Sequence, residues 1–435
     1  MATPPQRIRR RARELMPQWI TGHGCRGLWP PTLGNMSLGA DLRRLRRLAG
    51  LTQETLADRA GVSVDVVKRL EQGRKTSARL PTLHALAAGL GVELTALLGE
   101  PPAVASGSLV DSPQLVALRR AIAPPLLALP PEPSTPRPSP AAMKQRISSG
   151  WTQYHKANFP ALMSALPGII ADSRFAASVG TDDQRARGAA ILAKSLQLGG
   201  HVAIRLGKTD LALSALERAM HAAEQSADPL LPGMISTSIA WSYQRQARLE
   251  DALHLAILAA DRVEQGRTDT AEGVRVRGGL LMSAATSYAR SGDYERADEM
   301  MTSAENAAKR LARLPPPEDG RLVSVFSRSS VRIERVRLAV QHKRPREALD
   351  LARGMRLSKD VPPSWRTWLL LDIARAHTDL GNAENAVATL ERLHRVAPAW
   401  LGHHTLAVAI VRDLWSLPQR PPGLRRLAER LGVSD

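Results

Sequence analysis

The stretch LGADLRRLRRLAGLTQETLADRAGVSVDVVKRLEQGRKTSARLPTLHALAAGLGVELTALLG, residues 38–99, carries the strongest structural signal in the chain. Apolar residues recur along it at helical spacing and predict five short helices. The second and third of these helices are joined by the tight turn Arg59-Ala60-Gly61-Val62-Ser63. Two helices joined in this way form a helix-turn-helix layout, in which the second of the pair enters the major groove of DNA.

The same stretch resembles the repressor-type helix-turn-helix (Cro/C1, XRE-like) of phage repressors and many bacterial regulators. The residues that carry the resemblance run in order without gaps and are Gly50-Leu51-Thr52-Gln53, Leu56-Ala57, Gly61-Val62-Ser63, Leu70-Glu71-Gln72-Gly73, Leu83, Leu86, Ala87, Leu90, Gly91 and Val92. The resemblance implies a structural ion pair between Arg46 in the first helix and Glu71 at the end of the third. It also implies that Gln53 contacts the DNA backbone.

The third helix of this domain is expected to read bases. Ser63 stands at its N-cap position, and the i, i+3 spacing of Val67 and Leu70 turns those two side chains inward. The outward positions, which read bases in similar proteins, are occupied by Val64, Asp65, Lys68 and Arg69.

Two of these outward residues allow two interpretations each. Arg69 suits a bidentate contact with guanine, or alternatively a contact with phosphate. Asp65 suits a hydrogen bond from cytosine N4, or alternatively stabilises the N-terminus of the helix through its charge. The basic residues of the following loop are expected at the sugar-phosphate backbone, and they are Arg74, Lys75 and Arg79.

Two segments of different composition flank this DNA-binding domain, which we place at residues 36–99. Residues 1–35 hold several arginines but no helical periodicity. They are either a disordered basic arm that touches phosphates or the product of a mis-called start, with Met36 as the true first residue. Residues 100–143 are rich in proline, which predicts a semi-rigid linker with one short helix at Asp111–Ile122.

Residues 144–435 read as a helical-repeat domain. Pairs of helices recur. In each pair, the first helix carries a small residue and the second helix carries an alanine near its start. The second-helix positions are Ala212, Ala252, Ala297, Ala348 and Ala386, and the first-helix positions are Gly200, Ala240, Ala285, Val336 and Ala374. These units resemble tetratricopeptide repeats, with a generic alanine-rich bundle as the alternative. Flanking helices at Gln145–Phe175, Trp400–Leu417 and Leu424–Leu431 are expected to cap the array.

Arrays of this type form a concave groove lined by first-helix residues, and the groove commonly holds a peptide or protein segment. The repeat phase places seven polar or aromatic side chains there. They are Gln197, His201, Arg205, Tyr243, Gln244, Tyr288 and His377.

Composition limits the remaining function classes. Lys and Arg total 60 against 41 Asp and Glu, a net charge of +19, which indicates either a polyanionic partner or the arginine-rich codon usage of a GC-rich genome. The single cysteine rules out an internal disulfide framework, and no apolar run reaches the length of a membrane span. Motifs of nucleotide binding, metal ligation and nucleophilic catalysis are lacking, so we expect no enzyme, no metal and no cofactor.

The sequence therefore predicts an all-α protein: a five-helix repressor-like domain joined by a proline-rich linker to a tetratricopeptide-like α-solenoid. The expected function is a cytoplasmic, nucleoid-associated transcriptional regulator. It would bind a pseudo-palindromic operator in double-stranded DNA as a homodimer, and its repeats would dimerise or sense a peptide, protein or small ligand. The alternative is a protein-interaction scaffold whose helix-turn-helix has lost DNA binding.

Overall fold

A computed structural model describes residues 38–75, 78, 80–90, 92, 97, 111–125, 137–267, 270–315, 325–357 and 361–433. Every regular element within these ranges is a helix. Residues 37–435 form one compact unit. The expected N-terminal arm, residues 1–35, lies outside the described residues. None of the described helices is both long enough and apolar enough to cross a bilayer.

Four helices make up the described part of the DNA-binding domain: α1 (Leu38–Leu48), α2 (Gln53–Ala60), α3 (Val64–Glu71) and α4 (Leu80–Leu90). Of the fifth expected helix, only Leu97 is described. The domain core consists of fully buried side chains that include Leu42, Leu56, Val67, Leu70 and Leu86.

Local signals in the sequence set the ends of α2. The hydroxyl of Thr52 accepts a hydrogen bond from the amide of Thr55 at 3.1 Å and so caps the N-terminus of the helix. Gly61 ends α2 with a φ of +60°, in the left-handed region that glycine adopts without a steric cost. The chain then turns directly into α3.

Within the proline-rich segment, residues 111–125 are described, and they contain the short helix expected there from the sequence. Helix α5 (Pro113–Ile122) buries Leu115, Leu118 and Ile122 against the repeat domain. The Nη2 atom of Arg174 donates to the carbonyl of Ala121 at 2.8 Å and fastens the end of α5. An apolar stripe at helical spacing is stabilised by burial, so the middle of the segment joins the repeat core instead of acting as a tether.

Six helix pairs follow. Their first helices are α6 (Pro140–His155), α8 (Asp182–Arg205), α10 (Leu231–Arg245), α12 (Ala271–Ser291), α14 (Arg328–Gln341) and α16 (Pro363–Asp379). Their second helices are α7 (Phe159–Ser178), α9 (Thr209–Glu224), α11 (Leu249–Arg267), α13 (Tyr294–Leu311), α15 (Pro345–Ala352) and α17 (Ala383–Val396). The described part ends with α18 (Pro398–Leu401), α19 (Thr405–Trp415) and α20 (Leu424–Leu431).

The pairs stack into a curved, tetratricopeptide-like array. Each first helix packs against its own second helix and against the next first helix, whereas consecutive second helices contact each other much less. Because the first helices approach one another more closely, they lie on the concave side of the array.

The small residues aligned from the sequence lie at the tightest contacts between helices. All five second-helix alanines, from Ala212 to Ala386, are fully buried, as are Ala240, Ala285 and Ala374. A Cβ atom at Gly200 would lie 2.7 Å from Cγ of Leu216, so this position has no room for a larger residue. The packing thus supports the repeat register derived from the sequence.

The two ends of the array meet, which differs from the separate caps expected from the sequence. The indole Nε1 of Trp400 donates to the carbonyl of His155 at 2.7 Å, and its ring packs edge-on against Phe159 with centroids 5.8 Å apart. The ring of His155 is also hydrogen bonded to Ser364 at 2.9 Å. The curvature of the stack brings α6 against α16 and α18, so each end covers apolar surface of the other.

Candidate DNA interface and central cavity

Helix α3 divides into a buried and an exposed face. Val67 and Leu70 are fully buried, whereas Asp65, Lys68 and Arg69 are exposed. Val64 differs from the expectation that it points to DNA, because it is partly buried and packs against the domain core. An exposed polar and basic face on this helix is the arrangement that major-groove reading requires.

The exposed side chains of α3 form ion pairs in the free protein. Arg69 Nε lies 2.8 Å from an oxygen of Asp65, one helical turn earlier, and Lys68 Nζ lies 3.5 Å from Glu54 of α2. Pairs this exposed contribute little to stability, because solvent screens the two charges. DNA phosphates or bases can therefore displace the carboxylates at little cost.

Ser63 occupies the N-cap position of α3, but its side chain makes no capping hydrogen bond. Ser63 thus lies at the predicted N-cap position, but it does not make the hydrogen bond that a capping side chain would supply. Its exposed hydroxyl stands beside the first-turn amides of α3, a position from which similar groups contact phosphate.

An ion pair joins Arg46 and Glu71, the two residues that the resemblance pairs. Arg46 Nε lies 2.6 Å from Glu71 Oε1 and Nη2 lies 2.9 Å from Oε2, while Nη1 donates to the carbonyl of Leu51 at 2.7 Å. Gln53 Nε2 donates to Glu71 Oε2 at 2.7 Å, so its amide is already engaged. Burial alone would raise the pKa of Glu71, but the hydrogen bonds from Arg46 and Gln53 outweigh it and lower that pKa.

The loop after α3 is basic and exposed where it is described. Gly73 adopts a φ of +69°, and Arg74 and Lys75 follow it with exposed side chains. Arg79, the third loop residue expected at the DNA backbone, lies outside the described residues. The described part of the loop therefore extends the positive face of α3.

A cavity of about 190 Å³ lies on the concave side of the repeats. Its walls come from the C-terminal halves of the first helices and from the segment that leads into α19. Helix α4 of the DNA-binding domain supplies one further wall through His84, Ala87 and Ala88. Ala409 of α19 also belongs to the core cluster of the DNA-binding domain. The two domains thus enclose this space together.

Of the seven groove residues expected from the sequence, the cavity brings together Arg205 and Gln244. Gln197 and His201 are hydrogen bonded to the hydroxyl of Ser238, each at 2.9 Å, and so bridge α8 and α10. Tyr243 lies under the guanidinium of Arg248, with 4.0 Å to the ring centroid. Tyr288 and His377 are partly buried and do not line the cavity.

The cavity also contains residues that the sequence reasoning missed, chiefly Arg245, Arg290, Arg337, Trp241 and Trp368. A signal for two of them is present in the repeats. Three arginines follow the small first-helix residue by five positions, namely Arg205 after Gly200, Arg245 after Ala240 and Arg290 after Ala285. The same position in stacked repeats projects to the same side of the array, so this recurrence predicts a shared cluster.

Histidines around the cavity are held neutral. Burial, reinforced by nearby arginines, lowers the pKa of His84 and of His201 to about 3 each. The same causes hold the pKa of His404 well below its usual value, and its ring is hydrogen bonded to Thr367 at 3.2 Å. Among the described residues, no group of three or more His, Cys, Asp or Glu is arranged to hold a metal ion.

Comparisons with known proteins identify the N-terminal domain. Residues 37–98 match the family described as a helix-turn-helix domain. No curated protein matches the chain. The chain therefore carries a helix-turn-helix domain at its first four helices.

Two solved structures are similar to this chain over most of its length. One is PlcR of Bacillus thuringiensis in complex with the peptide PapR7 and DNA, with 13% identity over 80% of this chain and 98% of that chain and a TM-score of 0.36. The other is a Rap protein complexed with Competence and Sporulation Factor, with 12% identity over 90% of this chain and 99% of that chain and a TM-score of 0.40. TM-scores this low do not by themselves indicate a shared fold.

Proposed function

We propose that this protein is a sequence-specific DNA-binding transcriptional regulator of the cytoplasm, whose helical-repeat domain senses a ligand. The observation that carries the proposal is the exposed face of α3, where Asp65, Lys68 and Arg69 stand opposite the buried Val67 and Leu70. The basic loop at Arg74 and Lys75 adds sequence-independent contacts to phosphate.

Arg69 is the residue proposed to read a base. Its guanidinium is mostly exposed and is held by Asp65 in an i, i+4 pair at 2.8 Å. A planar guanidinium matches the two acceptors of guanine in the major groove. The remaining proposed contacts, from Gln53, Ser63, Lys68 and the loop, position the helix on the duplex.

The sensing role is supported by the cavity shared between the two domains. Ligands bind in concave, partly apolar spaces with a few polar groups, and this cavity combines Trp241 and Trp368 with arginines. A ligand held there would touch α4 directly. The occupant is proposed to be a peptide, a protein segment or a small molecule.

Dimerisation belongs to the same proposal. Repressor-type domains bind pseudo-palindromic sites in pairs, with half-sites about one helical turn apart. We expect the protein to form a homodimer, at least on its operator. Sedimentation analysis with and without operator DNA measures this, and a complex of one chain per duplex would contradict it.

DNA binding is tested by fluorescence anisotropy. The full chain is titrated onto the DNA upstream of its own gene and onto a scrambled duplex, across a salt series. The Arg69→Ala variant is expected to lose about ten- to a hundredfold in affinity for the specific duplex and to discriminate less between duplexes.

Arg425→Ala is the matched control, because Arg425 is exposed and forms an i, i+4 pair with Glu429 at 3.1 Å on α20, outside the helix-turn-helix domain. It should leave both affinities unchanged. The scaffold alternative, a helix-turn-helix without DNA binding, would be favoured if duplexes selected from a random pool bound no better than the scrambled one.

A further inference from the structure

The side chains that line the central cavity are strongly unbalanced in charge. Arg205, Arg245, Arg290 and Arg337 all line it, whereas Asp372 is the sole carboxylate among its lining residues within the described part of the chain. Cations enclosed in a space of low dielectric repel one another and lose hydration, so such a cluster needs compensation.

The available carboxylates are engaged by Arg337. Its Nη1 lies 2.9 Å from Glu334, and its Nε lies 3.3 Å from Asp372. The pair is buried, since the side chains of Glu334 and Asp372 are 3% and 7% exposed. Neither carboxylate forms an ion pair with Arg205 or Arg290.

Arg205 and Arg290 keep unused donors. Arg205 Nε donates to the hydroxyl of Tyr154 at 3.1 Å, and Arg290 Nη1 donates to the carbonyl of Gln244 at 3.1 Å. The Nη2 atom of Arg205 and the Nε atom of Arg290 are buried and have no hydrogen-bond partner within the described part of the chain. A buried donor without an acceptor costs free energy, so the described residues leave part of the hydrogen-bonding capacity of both guanidinium groups unused.

Both arginines stand at the C-terminal end of a helix, and this position compensates only part of their positive charge. Arg205 is the last residue of α8, and Arg290 is the penultimate residue of α12. A helix C-terminus carries about half a negative charge, which attracts a cation there. A partial charge of this size offsets only part of a guanidinium charge.

Three aromatic rings lie around the guanidinium group of Arg205. Its guanidinium carbon lies 5.1, 5.3 and 5.0 Å from the ring centroids of Trp241, Trp368 and Trp400. Such rings fix the direction of the guanidinium and strengthen its interaction with any anion, because the surroundings are apolar.

We propose that the central cavity is a binding site for an oxyanion, the carboxylate or phosphate group of a small ligand, held by the guanidinium groups of Arg205 and Arg290 that line it. Guanidinium groups bind both kinds of oxyanion through charge-assisted hydrogen bonds. A cavity of about 190 Å³ accommodates such a group with a short organic portion. The histidines nearby agree with this charge, because arginines add to burial in lowering the pKa of His201.

Helix α4 of the helix-turn-helix domain forms one wall of this site, so the site extends the proposed function. Its regulatory role rests on that proposed function. His84 of α4 faces the same cavity as Arg290, and α4 packs against α2 of the DNA-binding domain. An anion bound between these residues therefore contacts both domains at once. Binding of the anion itself does not depend on whether the protein binds DNA.

Thermal unfolding of the full chain tests the site with inorganic phosphate and with succinate as probes, at constant ionic strength set with sodium chloride. We expect at least one probe to raise Tm in a saturable manner, by about 3 °C or more at a hundred times its Kd. The probe that acts distinguishes a phosphate ligand from a carboxylate ligand.

Arg290→Gln should abolish the rise in Tm, measured against the Tm of the same variant in chloride alone. Arg205→Gln serves as a second variant if Arg290→Gln does not fold. Arg425→Gln, on the exposed surface of α20, should keep the full response.

The proposal is overturned if neither probe gives a saturable rise, or if the cavity variants respond like the unsubstituted protein. Loss of probe binding with intact discrimination between DNA duplexes would leave the regulator proposal standing. Intact probe binding without DNA binding would overturn the regulator proposal alone.

Discussion

Gly39 of α1 lies directly against the carbonyl oxygen of Leu70, near the end of α3. A Cβ atom at position 39 would be 2.0 Å from that oxygen and 2.9 Å from the carbonyl carbon. The first helix therefore approaches the recognition helix as closely as backbone atoms permit. This contact sets the position of α3 within the domain.

Gly39→Ala is expected to destabilise the helix-turn-helix domain. Overpacking costs about 1–3 kcal/mol, which exceeds the gain of about 1 kcal/mol in helix propensity. Hydrogen exchange of the α1 and α3 amides in the full chain measures the effect. Gly266→Ala in α11 is the control, because a Cβ atom there meets nothing within 4 Å. Unchanged exchange in Gly39→Ala would contradict the steric argument.

The Arg46–Glu71 ion pair should stabilise the domain, because each side chain compensates the charge of the other in a buried position. The side chain of Glu71 is 2% exposed, so Arg46→Ala leaves a buried, unpaired carboxylate, at a cost of about 3–5 kcal/mol. The double variant Arg46→Met with Glu71→Gln should recover most of this loss, since it removes both charges. Urea unfolding of the full chain measures both. Equal losses in the single and double variants would show that packing, not charge, dominates.

Asp65 is predicted to restrain Arg69 and to sharpen sequence discrimination. Asp65→Ala releases the guanidinium and removes a negative charge beside the duplex. We expect affinity for scrambled DNA to rise by about fivefold, equivalent to roughly 1 kcal/mol, while affinity for the operator changes less. Asp350→Ala, which removes the exposed partner of Arg353, is the control. A fall in affinity for both duplexes would indicate instead that Asp65 contacts a base.

Stability should fall as the pH drops below about 6.5. Burial lowers the pKa of His84 and His201 to about 3 and that of His155 to about 4, while the unfolded chain protonates them near 6.5. The unfolded state then binds more protons, and each histidine costs up to about 1.4 kcal/mol per pH unit until its folded pKa is reached.

Asp372 acts in the opposite direction. Burial raises its pKa to about 7, so its contribution is fully present below its unfolded pKa of about 3.8 and is lost as the pH rises through 7. One such group offsets one histidine, and a net loss remains between pH 6.5 and 4. Urea unfolding across this range should show a shallower slope in His201→Gln. A slope unaffected by that substitution would contradict the role of His201.

Closure of the array is predicted to depend on Trp400. Trp400→Phe removes the donor to the carbonyl of His155, a contact of 2.7 Å, and should cost about 1 kcal/mol. Trp400→Ala also removes a fully buried ring and should cost about 3–5 kcal/mol. Small-angle scattering would reveal an opened array as a larger radius of gyration. An unchanged radius in Trp400→Ala would mean that other contacts hold the ends together.

The sequence alone determined the helix-turn-helix domain and the register of the repeats, because both depend on local spacing. Gly61 ends α2 at a position that requires a left-handed backbone conformation. Ala212 and Ala386 are small because two helices touch at each of these positions. Val67 and Leu70 identified the buried face of α3, so Asp65 and Arg69 followed as its exposed residues.

Only the tertiary structure decided which residues line the central cavity and which residues distant in the sequence contact each other. Arg205 and Arg290 line the same cavity because the superhelical curvature of the stack turns successive first helices toward one axis. This curvature is the sum of small rotations that no single repeat encodes. The same accumulation brings Trp400 to His155 and places α4 beside the arginines. Local patterns predict which residues face inward, whereas their distant partners depend on the geometry of the whole array.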